Sequence, residues 1–169
     1  MNSETDHMTV RRLLEEDHAR LDALLDAAAG AANGPIDMVA YGMFRVGLLR
    51  HIGMEERILL PAARRLRGGA PVERAGQLRL DHAALAALLV PTPTFELVAR
   101  LRSLLALHNP LEEGPAGVYA ECEALIGADQ PDLLTRLQGA PEVPPAAHFD
   151  GPRAFAAIDR LLRAAKRDV

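Results

Sequence analysis

Little in this chain favours a β-sheet, a disulfide framework, a membrane span or a nucleic-acid surface. Aromatic residues make up 4% of the 169 positions, and β-branched residues are sparse beside Ala, Leu, Arg and Glu. Unbranched side chains lose little rotamer freedom in a helix, so the balance favours helix over strand. The single cysteine, Cys122, excludes an internal disulfide and agrees with a reducing compartment. No apolar run reaches the roughly 20 residues that a spanning helix needs. The polar, acid-bearing stretch 1–9 is unlike a secretory signal. A formal charge of −4 offers no basic footprint for nucleic acid. The expectation is a soluble, cytoplasmic protein with neither membrane nor nucleic acid among its partners.

Gly and Pro divide the chain into long helical stretches. The first runs from an N-cap at Thr9 to Ala29 and stops near Gly30 and the Asn33-Gly34-Pro35 turn. The second spans Ile36 to Leu66, the third Val72 to Leu89, and the fourth Thr94 to Ile126, with Pro110, Gly114 and Pro115 placed to bend or break it. A short helix near Asp132 to Leu137, a Pro-rich connection and an amphipathic helix from Arg153 to Ala165 follow. The pattern predicts an all-α fold: an up-down four-helix bundle over residues 1–130 with a C-terminal helical extension, 131–169, packed on it.

Each predicted helix carries polar groups on its apolar stripe. His18 lies among Val10, Leu14, Leu21 and Leu25, and His51 and Glu55 interrupt Phe44, Leu48 and Leu59. His82 sits among Leu78, Leu85 and Leu89, while His108 and Glu112 continue Leu97, Leu101 and Leu105. Burying such groups alone would cost several kcal/mol, so they need common partners. The chain also repeats itself. Asp17-His18-Ala19 matches Asp81-His82-Ala83, and a Leu-Leu pair followed by His-x-x-x-Glu-Glu occurs at His51 to Glu56 and at His108 to Glu113. Such a duplication predicts two halves about a pseudo-twofold axis, with two equivalent ion sites.

Residues four apart in a helix are rotated by only about 40° and separated by about 6 Å along the axis. His51 with Glu55, and His108 with Glu112, can therefore face one cavity. Imidazole and carboxylate together suit iron, manganese or zinc, whereas a softer site would want cysteine. Four histidines and two glutamates exceed the needs of one structural zinc. Two ions, each with two histidines and both sharing the glutamates, use the set economically and leave positions open for a small ligand.

The order His, His-x-x-x-Glu, His, His-x-x-x-Glu, with the strings LLRHIGMEERILLPA and LLALHNPLEEG, resembles the hemerythrin family and its HHE cation-binding members over residues 9 to 127. The resemblance implies a di-iron centre in which His18 and His51 serve one iron, His82 and His108 the other, and Glu55 and Glu112 bridge. It implies small ligands such as dioxygen or nitric oxide as partners, in sensing, iron handling or stress chemistry. Two features depart from the oxygen-carrying pattern. Ala86 stands where those relatives have a further histidine, and Pro110 between His108 and Glu112 makes Glu113 an alternative bridge. Zinc or manganese in place of iron, a metal-free helical interaction bundle, a homodimer, and a di-iron enzyme reducing peroxide or nitric oxide stay open. A ferritin-like site does not fit, because His51, His82 and His108 lack a Glu three residues earlier. His7 reads as a surface residue and Cys122 as a helix residue without redox duty. His148 reads as solvent-facing, with folding back to the centre as the alternative. The sequence assigns Tyr41 and Tyr119 no place near the site.

Overall fold

The computed structural model describes residues 8–30 and 34–169. His7, most of the polar start and Asn33 of the expected turn lie outside the described residues. All regular structure among the described residues is helical. No helix among them is long and apolar enough to cross a membrane.

Helix α1 spans Val10–Ala29 and is capped by Thr9, whose hydroxyl accepts from Arg12 N–H at 3.1 Å. Its buried face, Val10, Leu14, His18, Leu21, Leu25 and Ala28, follows the steps of three and four that put residues on one side of a helix. Gly30, at φ 56°, ends it. Asp37 caps α2, Met38–Met54, by accepting from the amides of Val39 and Ala40. The α-helix then widens into one π-helical turn, Glu55–Leu59, before resuming as α3, Leu60–Leu66. In that turn Leu60 N–H donates to Glu55 C=O, five residues back. The next residue, Pro61, brings no N–H to the ladder.

Helix α4 spans Ala75–Leu88, and α5, Phe95–Glu113, is capped by Thr94. Of the three residues expected to bend or break this stretch, Pro110 does not interrupt α5. Pro110 and Ala106, whose carbonyl it leaves unbonded, both lie on the exposed face, where water can take over that bond. The break comes at Gly114–Gly117, which holds the other two, Gly114 and Pro115, before α6, Val118–Ile126. A 3₁₀ turn leads to α7, Gln130–Gln138, and after an extended connection α8 spans Pro152–Ala165. That connection is tied to α2 by Arg45, which donates to Ala146 C=O at 2.9 Å, and by Arg50, which donates to Ala140 C=O at 3.0 Å.

The apolar interior falls into two clusters. One gathers Leu21, Leu25, Phe44, Leu48, Leu85, Leu88, Leu101 and Leu105, and α8 adds Ile158 and Leu162 to it. The other gathers Val10, Leu14, Met54, Leu59, Leu78, Val118, Cys122 and Leu137. The site lies where the clusters meet, because every histidine in question falls between a residue of one and a residue of the other. Along α1 the order is Leu14, His18, Leu21, and along α4 it is Leu78, His82, Leu85. Along α2 the order reverses to Leu48, His51, Met54, and along α5 to Leu105, His108, Leu111.

Candidate metal centre

Four helices bring the six sequence-predicted residues together. His18 comes from α1, His51 from α2, Glu55 from the start of the π-turn, His82 from α4, and His108 and Glu112 from α5. None exceeds 6% exposure. They form two groups that could each hold a metal ion: His18, His51, Glu55 and Glu112, and Glu55, His82, His108 and Glu112. Both carboxylates belong to both groups, and within each group the donor atoms lie within 4.8 Å of one another.

The four imidazoles are oriented by four further carboxylates. His18 Nδ1 faces Glu113 Oε1 at 2.5 Å, and His51 Nδ1 faces Asp17 Oδ2 at 2.9 Å. His82 Nδ1 faces Glu56 Oε1 at 2.9 Å, and His108 Nδ1 faces Asp81 Oδ2 at 3.3 Å. A carboxylate on Nδ1 fixes the proton there in the neutral ring and turns the Nε2 lone pair to the other side, which is how metal-bound histidines are commonly held. In every ring the Nε2 side looks inward: His18 Nε2 lies 3.4 Å from Glu112, His51 Nε2 3.5 Å from Glu55, and His82 Nε2 3.1 Å from Glu55. His108 Nε2 lies 3.1 Å from Glu112.

This outer set follows the internal repeat. The aspartate before the first histidine of each half holds the second histidine of the same half: Asp17 holds His51, and Asp81 holds His108. The second glutamate of each doublet crosses to the other half, so that Glu56 holds His82 and Glu113 holds His18. Glu113 thus stands outside both groups, on His18 Nδ1. α5 continues through Pro110, so Glu112 stays on the buried face and the next residue turns outward to His18. Asp17, Glu56 and Asp81 were not among the candidates read from sequence, although the Asp-His and Glu-Glu doublets that carry them repeat in plain view.

Three buried atoms here make no hydrogen bond: Glu55 Oε2, Glu112 Oε1 and His82 Nε2. All three are donor atoms of the second group and face one another, His82 Nε2 lying 3.1 Å from Glu55 Oε2 and 3.6 Å from Glu112 Oε1, so a proton or a cation between them would serve as their common partner. The donor set therefore fits a pair of nitrogen- and oxygen-preferring ions.

No known family model, curated protein or solved structure matches this chain. The chemistry of the centre therefore has to be argued from its own residues.

Without an ion, the cluster balances its charge with protons. Burial, the largest influence, pushes His51 down, but Glu55, Asp17 and Glu112 outweigh it and raise the group to about 10. Burial likewise opposes His82, which Glu112, Glu55 and Glu56 lift to about 11, and His108, which Asp81 and Glu112 lift to about 9. Burial pushes Glu55 up, but His51 and His82 together draw it well below the usual carboxylate range. At neutral pH His51, His82 and His108 of the metal-free protein are thus imidazolium groups beside carboxylates. Binding an ion must displace those protons.

Tyr119 on α6 enters the first group. Its hydroxyl donates to Glu55 Oε1 at 2.5 Å and lies 3.3 Å from His18 Nε2, 3.4 Å from His51 Nε2 and 3.4 Å from Glu112 Oε2. Sequence reading could not place it, because the helix break at Gly114–Gly117 decides where α6 points. At Gly117 an added Cβ would stand 2.3 Å from Glu112 O, so only glycine lets the chain turn this tightly past the carboxylate.

The remaining candidates lie elsewhere. His148 is half-buried against α2, its Nδ1 2.9 Å from Pro91 O and its Nε2 3.3 Å from Arg45, and it takes no part in the centre. Tyr41 packs against Phe44 and His148. Cys122 is buried, and burial pushes its thiol up to about 12, which leaves it a neutral packing residue. A cavity of about 10 Å³, room for one water, is lined by all four histidines together with Leu21, Leu48, Leu85 and Leu105. Leu85 is the α4 residue lining it beyond His82, while Ala86 lies one residue further round the helix and is half-buried.

Proposed function

We propose that this chain is a hemerythrin-like di-iron protein whose centre meets small molecules such as dioxygen or nitric oxide, in sensing or iron handling within the cytoplasm. One observation carries the reading: every one of four buried imidazoles has Nδ1 on a carboxylate and Nε2 toward two carboxylates that the two groups share. The alternating chain direction through the two apolar clusters supports an up-down four-helix arrangement around it.

His18 and His51 would hold one iron, His82 and His108 the other, with Glu55 and Glu112 between them. Iron there supplies redox-active coordination positions for a small ligand. The cavity is lined by leucines and by Asp22 and Asn109 beside the histidines, and its small size suits a small molecule better than an organic substrate. The outer carboxylates keep each imidazole in the tautomer that presents Nε2, and they increase its basicity. With alanine at position 86, the chain adds no further imidazole on α4 beyond His82. The absence of a fifth histidine favours sensing, iron handling or small-molecule reduction over reversible carriage.

Anaerobic titration of metal-free protein with ferrous iron, followed by filtration and metal analysis, tests the reading. Two iron ions per chain are expected. Saturation at one would overturn the paired centre, and no tight binding would favour a metal-free interaction bundle.

A further inference from the structure

The two groups of ligands are nearly symmetric, but their surroundings are not. The sequence contains two tyrosines. Tyr41 packs against Phe44 and His148, away from the centre, whereas the Tyr119 oxygen stands beside the two histidines of one group, His18 and His51, as well as the shared carboxylates. From these contacts we propose that the Tyr119 oxygen is a fifth protein ligand of the ion held by His18, His51, Glu55 and Glu112, so that the two irons are chemically distinct.

The proposal rests on the di-iron reading and deepens it. Donor atoms on neighbouring vertices around a first-row ion, each about 2.1 Å from it, stand roughly 3 Å apart. The Tyr119 oxygen lies 3.3 Å from His18 Nε2, 3.4 Å from His51 Nε2, 2.5 Å from Glu55 Oε1 and 3.4 Å from Glu112 Oε2. It therefore contacts one atom of every member of the group. A phenol retained only for packing would satisfy its single proton with one acceptor and would not need to approach two imidazole nitrogens as well. The position is also firmly built. Tyr119 is 2% exposed, and its ring stacks on His18 with centroids 5.8 Å apart.

When the oxygen ligates a ferric ion, the phenolic O–H bond breaks, an oxygen–iron bond forms, and the proton leaves to solvent. Phenolate is a hard anionic donor, so it favours the ferric over the ferrous ion. Tyr119 would thus hold the first iron ferric and fill one of its positions, leaving the His82–His108 iron as the one with more room for a small ligand.

The experiment loads metal-free, full-length protein with ferric nitrilotriacetate, which supplies the oxidised ion directly. Two ferric ions per chain are expected, with a visible phenolate-to-iron charge-transfer band and tyrosinate ring modes in its resonance Raman spectrum. Tyr119→Phe should still take up two ions but lose the band, and Tyr41→Phe should keep it. Uptake of two ions by the natural protein without the band would overturn the proposal and leave the di-iron reading standing. A band that survives in Tyr119→Phe would overturn it too, and failure of the natural protein to take up iron would overturn both. If Tyr119→Phe does not fold, the Raman ring modes of the natural protein decide the question alone.

Discussion

Arg167 grips the buried carboxylate of Asp81 with two prongs, Nε 3.0 Å from Oδ1 and Nη2 2.8 Å from Oδ2. Asp81 is fully buried and also faces His108 Nδ1, so the segment after α8 reaches one histidine of the centre through a single intermediary. Lys166, in the left-handed conformation at φ 56°, turns the chain so that Arg167 can arrive there. The counterpart in the other half is weaker. Asp17, which holds His51, pairs with Arg20, and Arg20 is 47% exposed. Breaking a buried ion pair from one side costs about 3 kcal/mol, whereas an exposed pair contributes at most about 1. Arg167→Gln should accordingly destabilise the metal-free protein by about 3 kcal/mol, and Arg20→Gln by less than about 1. Urea denaturation of both variants checks this, and equal losses would contradict the assigned asymmetry.

The four outer carboxylates should tune affinity without setting stoichiometry. Asp17→Asn, Asp81→Asn, Glu56→Gln and Glu113→Gln are each expected to weaken metal binding by about 10- to 100-fold while two ions still bind. Competition against a chelator of known affinity measures the effect. Glu113→Gln is the most telling variant. Loss of a whole ion equivalent in it would make Glu113 a bridge after all.

The metal-free protein should be most stable at mid-range pH. His51, His82 and His108 are raised from 6.5 to about 10, 11 and 9. Their contribution is full below the unfolded value of 6.5 and disappears as pH rises through 9 to 11. Asp81 is lowered from 3.8 to about 2, against burial, by His108, Arg167 and Gln77. Its contribution is present above 3.8 and disappears as pH falls through about 2. Metal loading should remove the alkaline limb, since coordination needs the neutral imidazole. Melting temperatures at pH 7 and about pH 10, with and without metal, would show a fall only in the metal-free series. A parallel fall in both would mean that the histidines do not bind the ion.

Gly117→Ala should damage fold and centre together. The new methyl would meet Glu112 O at 2.3 Å and Glu112 C at 2.7 Å, both backbone atoms that cannot swing aside. A loss of about 3 kcal/mol is expected, with weaker metal binding because the turn carries Glu112 on one side and Tyr119 on the other. Gly53→Ala is the control: its nearest neighbour would be Val143 Cγ2 at 3.8 Å, an ordinary contact, and its helical setting should gain about 0.5–1 kcal/mol. Thermal melts of the pair separate the two cases.

The sequence made legible what depends on local periodicity. Thr9 as a cap, the four stripes and the convergence of His18, His51, Glu55, His82, His108 and Glu112 all follow from side chains three or four apart sharing a face. It concealed what depends on how distant segments meet. Arg167 finds Asp81 only because α8 packs on α4, and no spacing rule links residues that far apart. The π-turn at Glu55–Leu59 escaped notice because its one mark, Pro61, also fits an ordinary helix boundary. The outer carboxylates were visible as doublets, but acids beside a motif read as solvated charge until the histidine each one faces is known.

The crossing of the glutamate doublets has an evolutionary consequence. Glu55 and Glu56 from the first half complete the group around His82 and His108, and Glu112 and Glu113 from the second complete the group around His18 and His51. A chain of half this length could close neither site alone and would need a second copy of itself. Fusion into one polypeptide replaces that encounter with a tether, so assembly no longer depends on protein concentration. It also frees the halves from being identical: a tyrosine can stand beside the histidines of one group and an arginine behind those of the other, which no pair of identical chains related by a strict twofold could arrange.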